Sequence, residues 1–205
     1  MSLASDDAGG AIVVVSGVPR SGTSLVMQML AAGGLAVLSD GARGPDPDNP
    51  RGYLEYTPVR RLRQDASWLP AARGRALKVV VPLVQDLPPG ERYRVLLVRR
   101  DLAQVLASQR AMLARRGAPP APAEEERRLG ALFEAALAAT ERWLEAQPHV
   151  AWCALEHAGL LGDPAGSARR IADFLPHAGL DAAAMAAAVD RALHRQRGAD
   201  PGAAR

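Results

Sequence analysis

Cysteine, lysine and aromatic side chains are scarce in this chain, and each shortage narrows what it can be. One cysteine, Cys153, stands among 205 residues, which excludes an internal disulfide and makes a reducing, cytoplasmic setting the expectation. Its expected role is that of a small hydrophobe in a strand. Phe, Trp and Tyr together make up 4% of the chain, too few for the stacked platforms that bind single-stranded nucleic acid. No apolar run reaches the roughly 18 residues a membrane-spanning helix needs, so no membrane partner is expected. The opening "MSLASDDAGG" lacks the basic-then-apolar order of a secretory leader. Of 25 basic residues, one alone is a lysine, Lys78.

What is present is ordinary for a globular chain: 48% hydrophobic, 23% charged and a net charge of +3, with cations interspersed among anions. The expectation is one domain over 1–205, with flexible tails at 1–10 and 198–205. "AIVVVS" (11–16), "ALKVVVPL" (76–83), "YRVLLVRR" (93–100) and "HVAWCALE" (149–156) read as buried strands. Helices are expected over Ser21–Ala32, with Leu25, Met29 and Ala32 on one side, and over Thr57–Ala66. A third is expected over Asp101–Arg115, with Asp101 as N-cap and Leu102, Val105 and Leu106 inward. "RRGAPPAPAEEERR" (115–128) reads as a proline-rich crossover before a long helix traced by Leu129, Leu132, Phe133, Leu137, Thr140 and Leu144. Two alanine-rich helices, near Pro164–Leu175 and Asp181–Leu193, close the chain. Strands alternating with helices predict an α/β fold: a parallel sheet flanked by helices, in a three-layer α/β/α sandwich. Ligands of such sheets sit beyond the carboxyl ends of the strands. The loop after the first strand, Arg99–Arg100 and Glu156 all fall there.

The loop is the informative stretch. "VVVSGVPRSGTSLVMQML" (13–30) runs strand, glycine-bounded turn, helix. Gly17 and Gly22 permit a tight turn and close approach to a ligand. The first helical amides, from Ser21 to Ser24, are expected to be free donors at the positive end of a helix, ready for a phosphate or sulfate. Ser21, Thr23 and Ser24 add hydroxyls, and Arg20 adds a planar fork of N–H groups. A magnesium-nucleotide loop would read G-x-x-x-x-G-K-[ST]; here Thr23 stands in the lysine's place, and "RVLLV" runs into Arg99 and Arg100 instead of an aspartate. The four histidines and Cys153 lack metal-ligand spacing, so no metal is expected.

"VSGVPRSGTSL" (15–25) resembles the 5′-phosphosulfate loop of sulfotransferases that use 3′-phosphoadenosine-5′-phosphosulfate (PAPS) as donor. It looks most like the loop of tyrosylprotein sulfotransferases and small bacterial relatives. The resemblance implies a P-loop NTPase-like sheet and places Pro19, Arg20, Ser21, Gly22, Thr23 and Ser24 on the donor. In that family an arginine at a strand end and a serine eight residues on hold the 3′-phosphate. "RDLAQVLAS" offers Arg100 and Ser108 at that spacing, with Arg99 as the alternative one register away. "DPAGSARRIADFL" (163–175) is similar to a late helix of the family, but "ALEHAGLL" departs from its "YEDL", with Leu155 for tyrosine and His157 for aspartate. The likeness covers roughly residues 12–175.

By that resemblance the activity is transfer of a sulfuryl group from PAPS to an acceptor hydroxyl or amine, leaving 3′-phosphoadenosine-5′-phosphate (PAP). Arg20 is expected on the leaving-group side. Cytosolic members carry K-x-H-x-P at a strand end, with histidine as base; "KVVVP" keeps Lys78 and Pro82 but has Val80 in the histidine's place. The base must then come from elsewhere. Counting from Arg20, Asp40 matches a glutamate of tyrosylprotein sulfotransferases, and Arg43 matches a family arginine. Turn capping is the alternative role for Asp40. Glu55 is the next candidate base, followed by Asp46 and Asp48. The loop 41–53 and the proline-rich crossover are the expected walls for a small-molecule or peptide acceptor. Arg195 and Arg197 are candidates to close over the donor, and a homodimer is one way to complete the pocket. The alternatives are an anion-binding P-loop protein without turnover and, further off, a small P-loop kinase.

Overall fold

The computed structural model describes residues 10–190. Four strands, β1 (Ile12–Ser16), β2 (Ala76–Lys78), β3 (Tyr93–Arg99) and β4 (Val150–Glu156), form one sheet in the order β2-β1-β3-β4. Every pair is parallel, with Val14 opposite Leu77 and Val95, and Leu97 opposite Ala154. The predicted fold class is the one observed: a parallel sheet flanked by helices. The chain leaves β1 for β2 on one side and returns to β3 on the other, so the crevice beyond β1 and β3 is a topological switch point.

Alternation along the strands builds two cores. Ile12, Val14, Leu77, Val95 and Leu97 face one side with Val105 and Leu144. These belong to α2 (Leu102–Arg115) and α3 (Ala123–Ala146). Val13, Val15, Leu96 and Val98 face the other side with Val26, Met27, Leu30, Leu160, Ile171 and Met185. That layer holds α1 (Thr23–Ala32), α4 (His157–Gly162), α5 (Pro164–Phe174) and α6 (Ala182–Ala187). A residue flanked by apolar neighbours on both faces explains why β1 is hydrophobic at every position but its last.

Several expected bounds shift. α1 starts at Thr23 and buries Val26, Met27, Met29 and Leu30, whereas Leu25 is partly exposed and Ala32 is exposed. α2 is capped by Asp101, whose Oδ1 accepts from Gln104 N at 2.9 Å, and it buries Val105, Ser108 and Met112 rather than Leu102 and Leu106. β2 is three residues long instead of eight. Val79 and Val81 still donate to Val15 and Gly17 carbonyls at 3.0 and 3.2 Å, but at Pro82 the backbone leaves the extended region, with ψ 2°, and enters the 3-10 turn Leu83–Asp86. The helix expected over 57–66 is a 3-10 turn, Thr57–Arg61, with a second at Leu69–Ala72; each has proline in its first turn. α3 begins at Ala123, six residues earlier than its apolar stripe, because Glu124, Glu125 and Glu126 suit the positive end of a helix. α4 was not expected. Cys153 is a free, partly buried thiol packed against the second core. The tail positions and His194, Arg195 and Arg197 lie outside the described residues, apart from Gly10.

Candidate functional site

A cleft of about 890 Å³ opens over the carboxyl ends of β1, β2 and β3. Its floor is the loop 17–22. Gly17 has φ 155°, and a Cβ there would fall 2.7 Å from the Val98 carbonyl and onto Ser21 Oγ. Gly22 has φ 108°, and a Cβ there would meet the His157 ring at 2.5 Å. Both positions therefore require glycine for space as well as for backbone angle. Arg20 also adopts a positive φ, 70°, a conformation that is costly for a residue with a Cβ. Ser21 differs from expectation. Its N–H donates to the Val18 carbonyl at 3.1 Å, and its side chain is fully buried with Oγ turned toward Gly17. The amides of Gly22, Thr23 and Ser24 remain as the open end of α1.

Three cations converge on this floor. Arg20 Nε donates to Ser108 Oγ at 3.1 Å, although 88 residues separate them. Arg100 Nη1 donates to the Arg20 carbonyl at 3.0 Å and its Nε to Gln104 Oε1 at 3.3 Å. Burial, with the neighbouring Arg20 cation, pulls Arg100 below the usual arginine range. Lys78 is 5% exposed; its Nζ donates to Ser24 Oγ at 2.9 Å and to the Tyr53 carbonyl. Burial pushes Lys78 down to about 8, partly opposed by the charge of Glu55. All three are held by neutral acceptors, hydroxyl, amide or carbonyl. Arg99 is different: it pairs with Glu141 at 2.8 Å and Glu156 at 3.9 Å, outside the cleft. Arg100 is thus the arginine of the pair that faces the loop.

The opposite wall is the segment 40–56. Arg43 pairs with Glu55 at 3.2 Å and its guanidinium lies 3.3 Å from the centre of the Tyr53 ring. The Tyr53 hydroxyl donates to Asp46 at 2.8 Å, and burial followed by that bond raises the phenol above its usual value. Burial alone would raise Asp46, but bonds from Tyr53, Asn49 and Asp48 outweigh it and hold the carboxyl low. Asp48 binds Arg115, and Asp46 meets Arg116 at 3.4 Å. Gln28 of α1 donates to Asn49 Oδ1 and to the Gly52 carbonyl, both at 3.2 Å. These contacts strap the segment across from α1 to α2.

Among the expected site residues, Pro19, Arg20, Gly22, Thr23, Ser24, Asp40, Glu55, Lys78, Arg100 and Ser108 all line the cleft. Ser21 sits behind its surface. Asp40 lies at the rim, fully exposed, with Oδ2 accepting from Thr57 N at 2.7 Å and Oδ1 from Ala42 N at 3.0 Å. The hydrogen bonds from Thr57 and then Ala42 hold its carboxyl below the usual value. Two cleft residues were not anticipated. His157 is buried with its ring against Gly22, and Tyr53 braces both Lys78 and Arg43. Their signals in the sequence were a histidine right after the strand-end Glu156 and a rare aromatic inside a polar loop. Among the described residues no three His, Cys, Asp or Glu side chains are grouped to hold a metal.

No family model and no curated protein matches the chain. Solved structures align with it at low identity. A sulfotransferase domain from the curacin biosynthetic pathway aligns at 15% identity and TM-score 0.46, covering 90% of this chain and 89% of the other. The sulfotransferase domain of the Synechococcus PCC 7002 olefin synthase aligns at 15% and 0.48, covering 94% and 78%. An unliganded sugar kinase from a Janibacter species aligns at 17% and 0.43, covering 83% and 96%.

Proposed function

We propose that this chain is a sulfotransferase that moves a sulfuryl group from PAPS to an acceptor hydroxyl or amine. The observation that carries the reading is the set of three cations, Arg20, Lys78 and Arg100, gathered in the cleft with no carboxylate bonded to any of them among the described residues. A floor of this kind suits a ligand bearing several negative charges and no metal. The residues fit the donor: the open amides of Gly22, Thr23 and Ser24 suit its 5′-phosphosulfate, and Arg100 with Ser108 suits its 3′-phosphate. When bound, the donor supplies the activated sulfuryl group, and the protein supplies position and charge.

Each side chain has a role in that scheme. Arg20 reaches from the loop to Ser108, so one guanidinium lies between the two phosphate subsites and can follow charge as it grows on the leaving phosphate. Lys78 has two of its three N–H groups occupied by Ser24 and Tyr53, leaving one for the transferred group or the bridging oxygen. Glu55 is the better placed of the two candidate bases. It is partly buried in the cleft, and Arg43 engages one carboxylate oxygen, whereas both oxygens of Asp40 accept backbone N–H groups. Asp40 then acts by capping the turn Thr57–Arg61. A positioned base contributes roughly 10²–10⁴-fold.

The reading is tested by calorimetric titration with PAP, beside ATP and magnesium, followed by PAPS turnover with a broad acceptor mixture. Binding of PAP, and loss of turnover in Glu55→Gln with PAP affinity kept, are expected. Binding of magnesium ATP without PAP would sink it. A second reading, an anion-binding protein without turnover, is favoured by Val80 in the cleft where a base histidine would stand. PAP binding with no turnover on any acceptor is its signature.

A further inference from the structure

We infer that the acceptor carries a carboxylate or comparable anionic group, read by Arg60, beside an apolar body seated on Val59, Val80 and Leu83. The inference rests on the sulfotransferase reading and extends it to the acceptor's chemistry.

The sheet order separates the two ends of the cleft. β1 and β3 carry the loop, Arg100 and Ser108, whereas β2 lies on the far side of β1. The chain beyond β2 keeps extended pairing to β1 through Val79 and Val81, so Lys78 and Val80 project together into the cleft while Val79 and Val81 are buried in the core. Leu83 follows at the same end. The turn Thr57–Arg61 closes this end and lends Val59 and Arg60 to the lining. The result is an apolar floor of Val59, Val80 and Leu83, opening beside the free N–H of Lys78 and the carboxylate of Glu55.

Arg60 is the unusual member. On the strap and at the end of α2, Arg43, Arg51, Arg115 and Arg116 each meet a carboxylate: Glu55, Asp190, Asp48 and Asp46. Arg60 lines the same cleft, is exposed, and among the described residues has no hydrogen-bond or ion-pair partner. The turn that carries it is fixed at its start, where Asp40 accepts the Thr57 N–H, and at its end, where Leu62 is buried. A guanidinium on a braced turn, lining the same cleft as Val59, Val80 and Leu83, matches a carboxylate in two-point geometry.

The test uses the full chain with PAPS and two matched pairs of acceptors: para-hydroxyphenylacetate against its methyl ester, and ω-hydroxyhexanoate against its methyl ester. At least one acid is expected to be sulfated with kcat/KM about 10–100-fold above its ester, the range of one charge-assisted pair. In Arg60→Gln the ratio should fall to near one through the acid's KM, and Arg60→Lys should restore part of it. PAP affinity, titrated in parallel, should match wild type in both variants. Preference for the esters, a ratio untouched by Arg60→Gln, or PAP affinity falling with the substitution would each overturn the assignment. So would failure of all four compounds while PAP binds and another acceptor turns over. Failure of PAP to bind would instead remove the parent reading.

Discussion

Both walls of the cleft carry basic side chains, yet they are wired in opposite ways. On the strap 40–56 and the end of α2, cations are spent on carboxylates within the protein: Arg43 on Glu55, Arg115 on Asp48, Arg116 on Asp46. On the sheet side, Arg20, Arg100 and Lys78 are steered by hydroxyls and carbonyls that orient them without cancelling their charge. The first wall is a brace. The second is the wall suited to an anion, because a cation neutralised by neighbours has little left for a ligand, whereas one held by neutral groups keeps its field. Counting basic residues could not separate them; their partners do.

The sharpest way to break the contrast is to give the sheet side the carboxylate it lacks. Ser108→Asp would set an acid against Arg20, and PAP binding by calorimetry should weaken more than about 100-fold, since the attraction of a charge-assisted bond is replaced by repulsion. Lys78→Met removes the one donor aimed at the transferred group. Single-turnover rates should fall about 10²–10³-fold, as for other lost oxyanion donors, with a smaller change in PAP affinity. Arg100→Ala should weaken PAP about 10–100-fold, whereas Arg115→Ala should move it less than about threefold, because a surface ion pair contributes little. Equal losses from those two would erase the distinction between the walls. The pH profile sharpens it further. Lys78 must be protonated to keep its charge and its third N–H, and burial places it at about 8, so kcat should hold below that pH and decline as pH rises through it. Lys78→Arg should remove that decline.

The smallest effect concerns a residue far from either wall. His149 is half enclosed between Tyr93 and Trp143, edge to face at 5.8 and 6.4 Å, and its Nε2 is buried without a partner among the described residues. Burial lowers its proton affinity below the ordinary histidine value of 6.5. The fold therefore favours the neutral ring: this contribution to stability is complete above about 6.5 and is lost as pH falls through the lowered value. Urea denaturation from pH 7.5 to 5 should show a modest drop that His149→Phe removes.

Much of this was legible in the sequence where chemistry is local. The order strand, glycine turn, helix over 12–32 depends on neighbours along the chain, and so does the strand-end Arg100 with Ser108 two turns into α2. Both stand where their pattern put them. What stayed hidden depends on distant partners. Nothing near Asp40 shows that its two oxygens meet Thr57 and Ala42, and nothing near Arg20 announces Ser108. The brevity of β2 was foreshadowed by Pro82, yet the run of three valines outweighed it. The placement of Ser21 was misjudged for a subtler reason: the turn spends its amide on Val18 before α1 begins, which moves the open end of the helix one residue on. The packing of His157 is not legible in the sequence because it depends on the absence of a side chain at Gly22, a contact between two positions 135 apart.

Having its single lysine inside the cleft makes this chain an unusually clean subject for covalent footprinting. Apart from the α-amino group, an acylating reagent finds one primary amine, Lys78, at the bottom of the site. Its proton is held loosely enough that a fraction of the amine is free base near neutral pH. An activated ester shaped to enter the cleft would therefore add mass at one internal position, and intact mass spectrometry would read occupancy as a ratio of two peaks. A ligand over the loop would protect that position, so a compound collection could be screened for occupants of the site before any turnover assay exists.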